Sequence, residues 1–161
     1  LFADGAAAVI GVDESMLNRT SDWTAIGNGM LLMPRSEDAM TWRIGDHGFH
    51  MTLSARVPEL IRENVLDWLN EWLGGRGLSI EEVATWAVHP GGPRILTAFG
   101  EAIGLGSEAM EVSRQILAEF GNMSSATLLF ILERLRRSGA PRPCVAVGFG
   151  PGMVVETVLL L

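Results

Sequence analysis

One long segment with helical periodicity, followed by a short apolar run and a second helical segment, restricts this chain to a fold in which helices cover a sheet. Residues 58–73 place apolar side chains on one helical face and charged side chains on the other. Residues 83–89 are apolar and strand-like, and residues 93–103 again repeat apolar side chains at helical spacing. This order of elements predicts a mixed α/β layer.

Further strands and two more helices are predicted on either side of this centre. Strands are expected over 6–12, 25–33, 49–54, 144–149 and 153–161, polar loops over 13–23 and 34–41, and helices over 107–120 and 125–137. Ser107 is expected to cap the first of these helices. The run 128–132 in the second is apolar throughout, so we expect its middle to be buried all round.

Composition and charge exclude several classes of protein. A chain of 161 residues is expected to form a single domain. The formal net charge is −7 and all 12 basic residues are arginine, which argues against general nucleic-acid binding. One cysteine and three scattered histidines predict no internal disulfide and no metal site. The sequence has no membrane-length apolar run and no basic start of a secretory signal, so we expect a cytoplasmic protein.

Two predicted corners hold polar side chains that suit chemistry. Pro90 biases His89 towards extended structure at a strand end, beside the N-terminus of the helix that follows. Asn122 lies between Gly121, which can end one helix, and Ser124 or Ser125, which can cap the next. An imidazole and an amide fixed on rigid corners suit stabilisation of negative charge on an oxygen atom. The residues alone leave open that both are ordinary turn residues.

Three separated motifs carry a resemblance to a known family. His-Pro-Gly-Gly-Pro at 89–93, Gly-Asn-Met-Ser-Ser-Ala at 121–126 and Gly-Phe-Gly-Pro-Gly at 148–152 resemble the C-terminal half of the type III polyketide synthases, the chalcone and stilbene synthase family. The opening Leu-Phe-Ala-Asp-Gly-Ala-Ala-Ala also resembles that family, with Ala3 where a glycine is common.

The resemblance implies a fold and a partner. It implies the thiolase fold, of which residues 1–161 would form the C-terminal half, a mixed five-stranded sheet with covering helices. We therefore expect the chain to be a fragment that lacks a cysteine-bearing N-terminal half and is inactive without it. The complete enzyme is expected to be a homodimer.

The resemblance also implies an acyltransferase reaction. In the family a cysteine carries the acyl chain, and the matching positions make His89 the catalytic histidine and Asn122 the catalytic asparagine. An acyl-CoA starter would be condensed with malonyl-CoA by decarboxylative Claisen chemistry, with no cofactor beyond the coenzyme A thioesters. A Cys144–His89–Asn122 triad is rejected, because Cys144 opens a predicted strand where an inert buried thiol is expected.

Several further positions are expected to shape the substrate pocket. Met51 falls where the family often has a gatekeeper phenylalanine, and Trp42 falls where a small residue lines the elongation cavity. Ser124 would line the cavity beside Asn122, and Arg94 would reach a coenzyme A phosphate. The closing loop would shape the active-site wall through Gly148, Phe149, Gly150, Pro151 and Gly152. Ordinary core roles for Met51 and Trp42, and a solvated Arg94, stay open.

Residues 40–49 resemble bacterial members of the family more than plant members. Two alternative functions remain. A ketoacyl-carrier-protein synthase III-like enzyme also uses a histidine and an asparagine, usually in a His-Gln-Ala-Asn context that this sequence lacks. A non-catalytic interaction module with half of a thiolase fold is the other.

Overall fold

The computed structural model describes residues 2–16 and 23–161. Its helices and strands follow in the order β1 (Ala25–Leu32), β2 (Met40–Gly45), β3 (Gly48–Leu53), α1 (Val57–Gly74), β4 (Thr85–Val88), α2 (Pro93–Ala102), α3 (Glu111–Phe120), α4 (Ser125–Arg137), β5 (Cys144–Gly150) and β6 (Val154–Leu160). Single 3₁₀ turns occur at Glu14–Met16, Ile80–Glu82 and Ser107–Met110. Part of the predicted 13–23 loop lies outside the described residues.

The main sheet has four strands in the order β1-β6-β5-β4, with β4 parallel to β5 and the other pairs antiparallel. The expected mixed sheet is therefore confirmed, but within the described residues it has four strands rather than five. The strand predicted at 6–12 is wrong. Val9 and Ile10 are exposed, and within the described residues this segment pairs with no strand. β-Branched residues favour a strand only where a neighbouring strand supplies hydrogen bonds.

Helices cover the sheet on both faces, and the side chains of β5 alternate between the two cores that result. Val145 and Val147 pack into a core shared with α1 and α2, where Leu69 and Phe99 are fully buried. Cys144 and Ala146 face the opposite core, formed with α3 and α4. A strand buried on both faces is expected to read as a continuous apolar run, as β5 does.

A separate two-stranded hairpin is formed by β2 and β3. The predicted strand at 49–54 is confirmed by β3. The polar loop predicted over 34–41 is wrong at its end, because β2 begins at Met40, and the rest of β2 had no predicted element. The apolar side chains of both strands share one face, since Trp42 pairs with Met51 and Ile44 with Phe49. The base of the hairpin is held to the β5–β6 turn by the Gly152 N–H, which donates to the Met40 carbonyl at 2.8 Å.

The predicted helices are confirmed, with three corrections of detail. Ser107 does not cap α3, because it begins a 3₁₀ turn and the α-helix starts only at Glu111. Ser124 is the N-cap residue of α4, but its side chain makes no capping hydrogen bond. The middle of α4 is not buried all round: Ile131 is fully buried, whereas its apolar neighbours are only partly covered by the described residues.

No helix in the described ranges is long and apolar enough to cross a membrane.

Candidate functional site

A cavity of about 730 Å³ lies between the hairpin, the start of α1, and the two polar corners. Its lining is mostly apolar and includes Met40, Trp42, Phe49, Met51, Leu53, Val57, Ile95 and Phe149. In the part of the chain that the structure describes, the lining residues with polar side chains are Asp4, His89, Asn122 and Ser124. An apolar cavity with a few convergent polar groups is the usual form of a small-molecule site.

His89 is held at the end of β4 by main-chain bonds. Its N–H donates to the Val147 carbonyl at 2.8 Å, which extends the β4–β5 ladder by one residue, and its carbonyl accepts the Gly91 N–H at 3.1 Å. The buried Ser113 hydroxyl accepts the Val88 N–H at 3.2 Å, so the strand remains bonded up to the residue before His89. Burial lowers the pKa of the His89 imidazole, which favours its neutral form at neutral pH.

Asn122 is held in the corner between α3 and α4, where Gly121 ends α3 with φ 77°. Its Oδ1 accepts the Ser124 N–H at 2.9 Å, and its carbonyl accepts the Ala3 N–H at 2.9 Å. Its Nδ2 lies 3.5 Å from the Gly91 carbonyl, at the outer limit of a hydrogen bond. Because Oδ1 is already bonded, the amide presents Nδ2, a donor, towards the corner that carries His89.

The predicted site residues fall into two groups. The residues of the first group line the cavity: Trp42, Met51, His89, Asn122, Ser124, Phe149 and Pro151. Gly148, Gly150 and Gly152 are not among the lining residues, although Gly152 anchors the hairpin base. Arg94 is exposed at the start of α2 and also lies outside the lining.

Two groups of lining residues were not predicted as site residues: Phe2 and Gly5 in the opening segment, and Phe49 in the hairpin. Phe2 is 62% exposed, lines the cavity and forms an isolated β-bridge with Asn122. Gly5 packs so closely on the Met123 side chain that a Cβ there would overlap it. Phe49 contacts Trp42 edge to face, with ring centroids 5.5 Å apart. The opening motif could have indicated Phe2 and Gly5, and the alternation of apolar residues in β3 could have indicated Phe49.

Cys144 is remote from this chemistry. It is fully buried at the start of β5 in the core shared with α3 and α4, and it does not line the cavity. Burial raises the pKa of its thiol to about 12. A thiol that is both covered and protonated is a poor nucleophile.

The lowered pKa of His89 predicts a pH-dependent stability. The ordinary histidine pKa is about 6.5, so below that pH the unfolded chain binds a proton more readily than the native chain. The free energy of unfolding should therefore fall as the pH drops from about 6.5 through the lower folded-state pKa. His89→Gln, which stays neutral, should lose less stability than wild type between about pH 7.5 and about pH 5.5, measured from urea midpoints. Equal losses in the two proteins would contradict the assignment.

Comparison with known proteins gives consistent results. Residues 28–161 match the family described as chalcone and stilbene synthases, C-terminal domain. The chain is 37% identical over 164 residues to a 1,3,6,8-tetrahydroxynaphthalene synthase from Streptomyces peucetius subsp. caesius, covering 99% of this chain and 44% of that protein. It therefore spans less than half the length of that relative.

A solved structure shows the same architecture. The crystal structure of PKS-I from the brown alga Ectocarpus siliculosus superposes with a TM-score of 0.87 at 29% sequence identity. The match covers 92% of this chain and 41% of the algal chain. The arrangement of sheet and helices is thus that of a recurring fold.

Proposed function

This chain belongs to the chalcone and stilbene synthase family, whose C-terminal domain it matches, and on that premise we propose that it supplies the side chains that promote decarboxylation in a type III polyketide synthase. The complete synthase would condense an acyl-CoA starter with malonyl-CoA. A cysteine in an N-terminal half would carry the growing chain. We further propose a cytoplasmic homodimer, as the resemblance implies.

One observation carries the proposal: His89 and Asn122 line the same apolar cavity from two separate corners. Loss of CO₂ from a malonyl thioester moves the electron pair of the broken C–C bond onto the thioester oxygen as an enolate. N–H groups from His89 and Asn122 would stabilise that oxygen. Removal of one such donor typically costs about 2.7–4 kcal/mol in the transition state.

The neutral form of His89 fits both steps that the synthase requires. A neutral imidazole donates one N–H to the enolate oxygen and has a free nitrogen that can accept the proton of a nearby thiol. The resulting thiolate attacks the starter thioester, and the expelled coenzyme A thiolate takes the proton back from the imidazolium, which restores neutral His89. The decarboxylated carbon then attacks the cysteine-bound acyl group, forming the new C–C bond and releasing the thiolate. Burial of His89, which lowers its pKa, favours this neutral state.

The apolar lining supports an acyl or polyketide chain as the occupant. The hairpin contributes apolar side chains to this wall: Met40, Trp42, Phe49, Met51 and Leu53. Arg94 stands exposed at the second residue of α2, and we propose that it pairs with a coenzyme A phosphate at the cavity entrance.

The direct test supplies the complete synthase with an acyl-CoA and malonyl-CoA and follows the products by mass spectrometry. Products extended by malonate-derived two-carbon units, in the absence of a carrier protein, would support the proposal. Extension only from malonyl-carrier protein would instead indicate a ketoacyl synthase III-like enzyme. Absence of extension from either donor would indicate a non-catalytic module.

Trp42 is predicted to limit product length. Its side chain is 49% exposed and lines the cavity rather than filling a core. Trp42→Gly should therefore enlarge the space for the growing chain, and longer polyketides should appear by mass spectrometry.

Ile44→Gly is a matched control for this substitution. Ile44 lies two residues further along the same face of β2, is 86% exposed and does not line the cavity. The Ile44→Gly variant should show the loss of stability that a glycine causes in the strand, without a change in the products. If Trp42→Gly instead lowers stability by roughly 3–5 kcal/mol with an unchanged product profile, Trp42 is a packing residue.

A further inference from the structure

We propose that Thr127 is a positioning residue that holds the Asn122 amide in its donor orientation, an inference that rests on the proposed function. Thr127 is fully buried in the first turn of α4 and does not line the cavity. Its Oγ1 accepts the Met123 N–H at 2.8 Å, and its own N–H donates to the Ser124 carbonyl at 3.1 Å. It therefore binds the peptide that follows Asn122, through its N–H, and the peptide that follows Ser124, through its carbonyl.

The corner needs such support because its backbone is strained. Ser124 has φ 57° and ψ −137°, a region that residues with a side chain rarely adopt. Strained residues of this kind persist only where their surroundings fix them. The bonds from Thr127 hold the N–H of the residue before this strained position, Met123, and the carbonyl of Ser124 itself, so they favour the observed path of the chain.

That path decides which atom of Asn122 faces the cavity. In a usual capping box the third helical residue would accept the N–H of the N-cap residue. Here the N-cap is Ser124, and Asn122 Oδ1 takes its N–H instead, while Thr127 takes the N–H of Met123. Asn122 Oδ1 is thereby engaged with the backbone, and Nδ2 is left as the donor.

Loss of the Thr127 hydroxyl would disturb this arrangement from outside the cavity. Met123 is 6% exposed, so its N–H would be left buried without a partner. A buried donor of that kind is unfavourable, and the segment would shift to satisfy it. Because Asn122 precedes Met123, its amide would move with that shift. A misplacement of about 1 Å can cost about 10²-fold in rate.

The test compares Thr127→Val, which has the same shape but no hydroxyl, with Thr127→Ser, which keeps the hydroxyl. In the complete synthase, Thr127→Val should lower kcat for malonyl-CoA decarboxylation by roughly 10- to 100-fold with little change in KM. Loading of the starter acyl group should persist. Thr127→Ser should restore kcat to within about threefold of wild type.

Thr157→Val is the matched control for loss of a buried threonine hydroxyl. Thr157 is 2% exposed in β6, and its Oγ1 donates to the Gly29 carbonyl at 3.3 Å, away from the cavity. Its variant should keep wild-type kcat per folded enzyme. Hydrogen exchange at the Met123 N–H provides a second readout and should accelerate in Thr127→Val but not in Thr157→Val.

The outcomes separate this inference from the proposed function. Wild-type kcat in Thr127→Val, or a loss equal to that of Thr157→Val, would overturn the positioning role while decarboxylation by wild type still supported the synthase. Failure of Thr127→Ser to restore kcat would also overturn it. A wild-type synthase that does not decarboxylate malonyl-CoA would overturn the proposed function, and the catalytic role of Thr127 with it.

Discussion

Asn122→Ala is expected to lower kcat for malonyl-CoA decarboxylation in the complete synthase by about 10²–10³-fold. The substitution removes the Nδ2 donor and leaves the enolate oxygen with the imidazole of His89 alone. Loading of the starter should continue, because it requires the thiolate that His89 supports and not the amide. CO₂ release and intact mass measure the two steps separately.

Asn64→Ala provides the matched control for this substitution. Asn64 is a partly buried asparagine in α1 whose Nδ2 donates to the Leu60 carbonyl at 2.8 Å, outside the cavity. Its replacement should leave both steps intact. A decarboxylation rate in Asn122→Ala equal to that of Asn64→Ala would remove Asn122 from the mechanism.

The 161-residue chain alone is expected to gain no acyl group when it is incubated with an acyl-CoA. It contains the proposed donors His89 and Asn122, but its cysteine is buried in a helix-covered core. The pKa of the Cys144 thiol, raised to about 12 by burial, leaves very little thiolate at neutral pH. Intact mass spectrometry should therefore show the unmodified chain.

The same chain unfolded in denaturant serves as the control for Cys144. Unfolding exposes the thiol, so alkylation by iodoacetamide should proceed there and be slow in the native chain. A stable acyl adduct on Cys144 of the native chain would contradict this account, since it would make the Cys144–His89–Asn122 triad chemically competent.

The helices and the central strands were predictable because their signals are local. α1 begins with a proline in its first turn and buries one continuous stripe, including Ile61, Val65 and Leu69. β5 and β6 are apolar runs separated by glycines. In each case the residues that define the element are neighbours in the sequence, so the pattern is visible without the fold.

The segments that were missed depend on partners distant in sequence. The 6–12 segment has strand-like composition but pairs with no strand in the described part of the chain. β2 has a mixed sequence and becomes a strand through pairing with β3. The alternation of β3 predicted a half-buried strand, whereas its apolar face lines a cavity and leaves Phe49 mostly exposed.

The two polar corners were predictable because glycine and proline mark them, and the motifs there resemble those of a family. The bonds that orient the side chains were not. Ser124 or Ser125 was expected to cap α4, yet the N-cap residue Ser124 makes no side-chain capping bond and donates its N–H to Asn122 Oδ1. Thr127 was not singled out, since a threonine inside an apolar helix gives no sign of which backbone group it binds.

The central claim is that this chain promotes decarboxylation of malonyl-CoA, whereas the nucleophilic cysteine lies outside residues 1–161. The position of the starter acyl group in the complete synthase tests that claim most directly. After incubation with acyl-CoA, peptide mapping should place the group on a cysteine outside residues 1–161. Addition of malonyl-CoA should then convert it to products longer by two-carbon units in wild type, and leave it in place in Asn122→Ala. An acyl group on Cys144, or equal conversion in both proteins, would contradict the account.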